Sequence, residues 1–142
     1  MRYETPADLA AEKEIAAAFV ATSAKLDGSR KMPVQYILDM AALGGSKVGA
    51  FVEIKDRHIA FGQGNGGLHL SLLKVLKAQA LKALTALPCY LVVRFSDGSI
   101  YRCHLDAFDR ERGVFWWGRD GRDEDEPCVA FPWDVFVKVE AP

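Results

Sequence analysis

The segment Val48–Lys55, V-G-A-F-V-E-I-K, constrains this chain more than any other. Val48, Ala50, Val52 and Ile54 fall on alternate positions, the period of an extended strand, and so share one face. Phe51, Glu53 and Lys55 take the opposite face. A carboxylate and an ammonium at the end of a mostly apolar strand need compensation, because burying charge without a partner is costly. Two arrangements supply it. One is a cross-face ion pair of small value; the other is a site that holds a metal ion.

The rest of the composition narrows the setting. A chain of 142 residues, 50% hydrophobic, is long enough to bury a core without staples. No repeat, linker or low-complexity tract divides it, so one domain over residues 1–142 is expected. A formal net charge of −1 gives no global pull toward nucleic acid. That argues against a nonspecific, high-affinity DNA binder but is compatible with an enzyme whose metal ions meet a phosphate. Cys89, Cys103 and Cys128 are scattered and form no zinc-type spacing, which suggests reduced thiols in a cytoplasm. Met1–Leu9 lacks an apolar signal core, and Lys or Gly breaks the longest apolar stretches, so neither a signal peptide nor a membrane span is expected.

Thr5-Pro6-Ala7-Asp8 reads as a helix start, with Thr5 as cap, Pro6 at the first helical position and Asp8 closing a capping box. The helix is expected to run to about Thr22. At ~100° per residue, Glu12 projects into the apolar arc of Leu9, Ile15, Ala16, Phe19 and Val20, whereas Glu14 projects among alanines on the other side. Residues 25–33 read as a polar connection. Val34–Leu43 reads as a strand in which Asp39 is the one acid of an apolar run, and Gly44-Gly45-Ser46 turns it back into Val48–Lys55. That hairpin brings Asp39 near Glu53 and Lys55. The bland reading of Asp39 is a structural acid bonding a backbone amide.

Gly62-Gln63-Gly64-Asn65-Gly66-Gly67 spells a dinucleotide fingerprint, but the charged segment before it and the lack of a suitably placed acid argue against that role. Leu68–Leu84 is expected to be a helix, with Leu72, Leu73, Leu76, Ala80 and Leu84 as its core stripe and Lys74, Lys77 and Lys82 mostly outside it. A glycine loop feeding that helix could bind a phosphate through Gly66 and Gly67, and Lys74 could contact a DNA phosphate. Cys89–Phe95 and Ser99–Leu105 form a hairpin around Asp97-Gly98; Gly113–Trp117, Pro127–Phe131 and Trp133–Val139 add short strands, with a charged loop over Gly118–Glu126. Trp116, Trp117 and Trp133 read as packing anchors.

The polar groups thus converge on one corner. A cation of the Mg²⁺ type takes oxygen ligands and keeps several waters. Asp39 and Glu53 supply carboxylates, and the backbone carbonyl of Ile54 is a further oxygen. Lys55 can orient a water and stabilise charge that builds on phosphorus. Glu12 can hold a further water or a second ion.

The linked pattern Glu12-x-x-Ile15-Ala16, Tyr36-x-x-Asp39, Glu53-x-Lys55 and a following helix resembles the PD-(D/E)XK nuclease superfamily, and more narrowly its small phage and prophage members. Leu70-Ser71-Leu72-x-Lys74, the stretch from Leu87-Pro88 to Asp97-Gly98, and Gly118-Arg119-Asp120-x-Arg122-Asp123-x-Asp125-Glu126-Pro127 with Pro132 and Phe136 extend the likeness over nearly the whole chain. The resemblance implies a restriction-endonuclease-like α/β core: a central mixed sheet flanked by helices, in αβββαβ order, with a C-terminal β extension. It also implies a Mg²⁺- or Mn²⁺-dependent phosphodiesterase acting on DNA, with Asp39, Glu53 and Lys55 in the core motif and Glu12 in the helix role. Leu38 stands where the superfamily name has proline, and the Gly62–Gly67 loop is unusually glycine-rich for the group. A homodimer is one way for so small a domain to cover a duplex. Two rivals remain: a catalytically silent nuclease-fold module that binds DNA or an assembly, and a nucleotide- or phosphate-binding protein using Gly62–Gly67.

Overall fold

The first helix, α1 (Pro6–Val20), begins where the capping box places it. Thr5 Oγ1 accepts from the Asp8 N–H at 3.1 Å, and Asp8 Oδ2 accepts from the Thr5 N–H at 3.0 Å. Its Ile15, Ala16, Phe19 and Val20 are buried. The computed structural model describes residues 5–64, 66–118 and 126–140; Asn65 and most of the charged loop (residues 119–125) lie outside them.

Nine strands follow among the described residues, in two sheets. The larger contains β1 (Gly28–Lys31), β2 (Met40–Gly44), β3 (Lys47–Asp56), β5 (Cys89–Arg94), β6 (Ile100–His104) and β9 (Val137–Lys138), in the order β1-β2-β3-β5-β6-β9. Its β3–β5 pair is parallel and every other pair antiparallel. The smaller sheet is β4 (Leu68–Ser71), β8 (Glu126–Phe131) and β7 (Phe115–Trp117), in the order β4-β8-β7. A parallel pair needs a crossover, and here β4 and the second helix, α2 (Leu72–Thr85), provide it.

The central sheet is covered on both faces. Met40, Ala42, Ala50, Val52, Ile54 and Val92 pack with α1. Ala41, Phe51, Leu91, Val93 and Cys103 pack on the other side with α2 and the small sheet, through Val75, Ala78, Leu70, Val129 and Phe131. The period-two reading of β3 therefore holds, with its even residues on the α1 side and Phe51 on the other.

Three segments take a different secondary structure from that expected. Gly28–Lys31, expected as a connection, is edge strand β1, paired with β2 from Gly28↔Leu43 to Lys31↔Met40. Residues 34–39, expected as strand, instead form a 3-10 turn over Val34–Tyr36 and a tighter turn after it. Pro33 fixes φ and opens that turn, and Val34 and Tyr36 are exposed, so their alternation with Leu38 had no sheet to face. The expected helix from Leu68 begins instead at Leu72, capped by Ser71, because Leu68–Ser71 pairs with β8.

In α2 the core stripe also differs. Val75 and Ala78 are buried, while Leu73, Leu76 and Leu84 are exposed. The helix is apolar over much of its circumference, so periodicity alone chose the wrong arc. Trp133 packs against Phe61, Phe95 and Phe136, as an anchor should; Trp117 is half-exposed with its ring edge-on to His69, and Trp116 is exposed.

Candidate active site

Strand β3 sets the corner. Phe51 N–H donates to the Pro88 carbonyl and Arg57 N–H to the Arg94 carbonyl, so odd residues bond toward β5. Ile54 faces the β2 edge. The last β2–β3 pair is Met40↔Val52, so β2 leaves the next even position, Ile54, without a backbone partner on that side. Asp39, one residue before β2, fills the gap: its Oδ2 accepts from the Ile54 N–H at 2.8 Å. In an extended strand the N–H and C=O of one residue point to the same edge. The Ile54 carbonyl therefore looks into the same gap.

Glu53 is fully buried. Lys55 Nζ lies 3.4 Å from its Oε2, and Lys74 Nζ, arriving from the first turn of α2, lies 3.1 Å from its Oε1. Neither oxygen has an aligned hydrogen bond among the described residues. Proximity of charge, more than directed bonding, holds this carboxylate. Its pKa is pushed up to about 7, first by burial and then by the Asp39 charge, with Lys55 and Lys74 offsetting part of the rise.

The approach of Asp39 depends on the turn before it. Leu38 N–H donates to the Tyr36 carbonyl at 2.8 Å across Ile37, which has φ 71° and ψ −41°. This is a three-residue turn in a region that β-branched residues rarely enter. The buried Leu38 side chain, the Met32 N–H donated to the Asp39 carbonyl (2.9 Å), and Lys74 Nζ donating to the Ile37 carbonyl (2.5 Å) hold it there.

The structure thus gathers Asp39, Glu53, Lys55 and the Ile54 backbone, as the sequence led one to expect, and adds Lys74. Glu12 lies on α1, across the sheet from Glu53, and pairs with Lys31 of β1 at 2.8 Å. Lys31 is the register partner of Met40, the residue after Asp39. Glu12 is the more buried of the two α1 glutamates, its side chain 12% exposed against 68% for Glu14. Glu14 and Asp56 instead share Arg94, which links α1, β3 and β5 and whose pKa is raised mainly by its bonds to Asp56 and then Glu14.

Gly66 and Gly67 are placed differently from expectation. The loop leads into β4, so no helix N-terminus stands behind it. A Cβ on Gly67 would overlap the Phe131 carbonyl, and one on Gly66 would overlap Arg112. These glycines let the loop pack closely on β8 and its surroundings.

Lys31 and the inward course of Lys74 escaped sequence reasoning. Lys31 was hidden in an edge strand read as a connection. The one signal for Lys74 was that it follows Leu70-Ser71-Leu72, where Ser71 suits an N-cap and puts Lys74 in the first turn.

Among the described residues no group of three or more His, Cys, Asp or Glu side chains could hold a metal. The donors available are two carboxylates and a backbone carbonyl, all hard oxygens. That set fits a Mg²⁺- or Mn²⁺-type ion completed by water and a phosphate, and does not fit zinc. The buried Glu53 oxygens without aligned donors fit the same requirement.

No curated protein is significantly similar to the chain in sequence. Among solved structures it is similar to Hjc, a Holliday junction resolvase from the archaeal hyperthermophile Archaeoglobus fulgidus. The TM-score is 0.60 over 92% of this chain and 90% of that one, at 11% identity, a likeness of fold. Residues 1–139 match the model of the family described as "Phage putative PDDEXK endonuclease". Fold, strand motif and family model agree, and the chain belongs to this phage PDDEXK endonuclease family.

Proposed function

We propose that the protein is a Mg²⁺- or Mn²⁺-dependent endonuclease that hydrolyses DNA phosphodiester bonds in phage-type DNA processing. The observation that carries this reading is the fully buried Glu53, set between two ammonium groups with neither oxygen in an aligned hydrogen bond. In this reading Asp39, Glu53 and the Ile54 carbonyl hold the cation. Once bound, a divalent cation polarises a phosphate and makes water a better nucleophile.

The chain's own groups do the rest. Asp39 keeps its place through the Ile54 N–H, which engages Oδ2 and leaves Oδ1 out of that bond. Lys55, buried beside Glu53, orients the attacking water and stabilises the charge that builds on the phosphate. Glu12, held by Lys31, steadies a further water or ion from the α1 side. A homodimer is the assembly in which so small a chain covers a duplex.

Tight packing at Gly67 disfavours the nucleotide-binding alternative. The assignment is tested by nicking of supercoiled DNA with Mg²⁺ or Mn²⁺. Lys55→Ala is expected to lower the rate by about 10²-fold or more with the fold intact. Glu12→Gln should impair cutting more than Glu14→Gln. Wild-type-like cutting by Lys55→Ala contradicts the role of the lysine, and the reverse order of the two helix variants contradicts the role of Glu12.

A further inference from the structure

Lys74 enters the corner from an element outside the strand motif. It is the third residue of α2, and its ammonium lies close to two oxygens of different kinds. One is Glu53 Oε1 at 3.1 Å, on the fully buried acid. The other is the Ile37 carbonyl at 2.5 Å, at the centre of the turn two residues before Asp39. Ile37 sits at φ 71°, where a β-branched residue stays only if surrounding contacts hold it. One ammonium therefore ties the buried acid to the strained turn that aims the second acid. The Lys74 side chain is 20% exposed against 9% for Lys55, so of the two lysines it lies nearer the surface.

An ammonium and a divalent cation seek the same oxygens. Without a metal, Asp39 and Glu53 repel each other, and Lys74 offsets part of that repulsion. With a divalent ion beside Glu53, an ammonium a few ångströms away adds like-charge repulsion in a poorly hydrated place. We infer that Lys74 is a positioning residue that stands in for the cation beside Glu53 in the metal-free protein and gives way when the cation enters. Its departure releases the turn before Asp39 and presents the ammonium at the mouth, where a phosphate arrives. This inference rests on the reading that Asp39 and Glu53 hold a cation.

The test is a calorimetric titration of the full chain with Mn²⁺, without DNA, for wild type, Lys74→Met and Lys74→Gln. Removing the competing charge should tighten the apparent Mn²⁺ Kd by about tenfold or more in both variants. Lys74→Gln keeps a donor for the Ile37 carbonyl, so it carries the test if Lys74→Met does not fold. In the wild type, saturating Mn²⁺ should speed amide exchange at residues 37–39 several-fold, a response that a merely structural lysine does not give. Mn²⁺ binding by wild type with an equal or weaker Kd in Lys74→Gln, or exchange at 37–39 that Mn²⁺ leaves unchanged, overturns the inference while the cation site stands. Failure of the wild type to bind Mn²⁺ overturns the cation site, and the inference with it.

Discussion

Glu53 concentrates the electrostatics of the molecule in one residue. Its carboxyl titrates about 7 in the folded protein against an ordinary 4.5, chiefly because it is buried. The folded state then holds this proton more tightly than the unfolded state does. The stabilisation is complete below the unfolded value and is lost as pH rises through the folded one. Metal-free protein is therefore expected to lose roughly 1–3 kcal/mol from this group between about pH 4.5 and 7. Glu53→Gln should remove that part of the slope, as read by denaturant midpoints across pH. A variant with the wild-type slope contradicts the assignment. A cation held by Glu53, as proposed, competes with the same proton, so Mn²⁺ should bind more weakly at pH 5 than at pH 8. Glu53 and Lys55 were legible in the sequence because charge at the end of an apolar strand is conspicuous. The Lys74 ion pair was not, because a lysine on an amphipathic helix ordinarily reaches water, and only the tertiary placement of α2 turns this one inward.

At the scale of elements, local signals were readable where they did not compete. The capping box of α1, the alternation of β3 and the Asp97-Gly98 turn between β5 and β6 each appear as expected. The misread segments are those in which two local patterns coexist. Residues 34–38 alternate like a strand, but Pro33 and the turn through Ile37 prevail, and that turn places Asp39 on Ile54. Leu68–Ser71 carries helix-like leucines, yet it pairs with β8. The glycine loop before it spelled a nucleotide motif, while the structure gives Gly67 a packing role: its φ is +105°, and a side chain there would meet the Phe131 carbonyl. Gly67→Ala is expected to destabilise the protein by about 2 kcal/mol or more, from strain and overlap together. Thermal or urea unfolding checks this. A variant as stable as wild type contradicts the placement of the loop on β8.

At the scale of the whole molecule, a mixed sheet covered on both faces buries the end of β3, and the corner exists because β2 stops before β3 does. That mismatch exposes one strand edge to Asp39 and leaves Glu53 buried beneath it. The mixed character of the sheet followed from the family resemblance and not from any single segment, since nothing local dictates that β3 pairs in parallel with β5. The most direct test of a metal-dependent nuclease built on Glu53 is cleavage of a DNA panel by wild type and Glu53→Gln, with Mg²⁺, Mn²⁺ or EDTA. The panel holds supercoiled, linear, single-stranded and four-way-junction DNA. Wild type is expected to cut at least one of these substrates in a reaction that needs the metal, stops with EDTA and is lost in Glu53→Gln. Cutting that survives EDTA, or that Glu53→Gln performs as well as wild type, would contradict that role for Glu53.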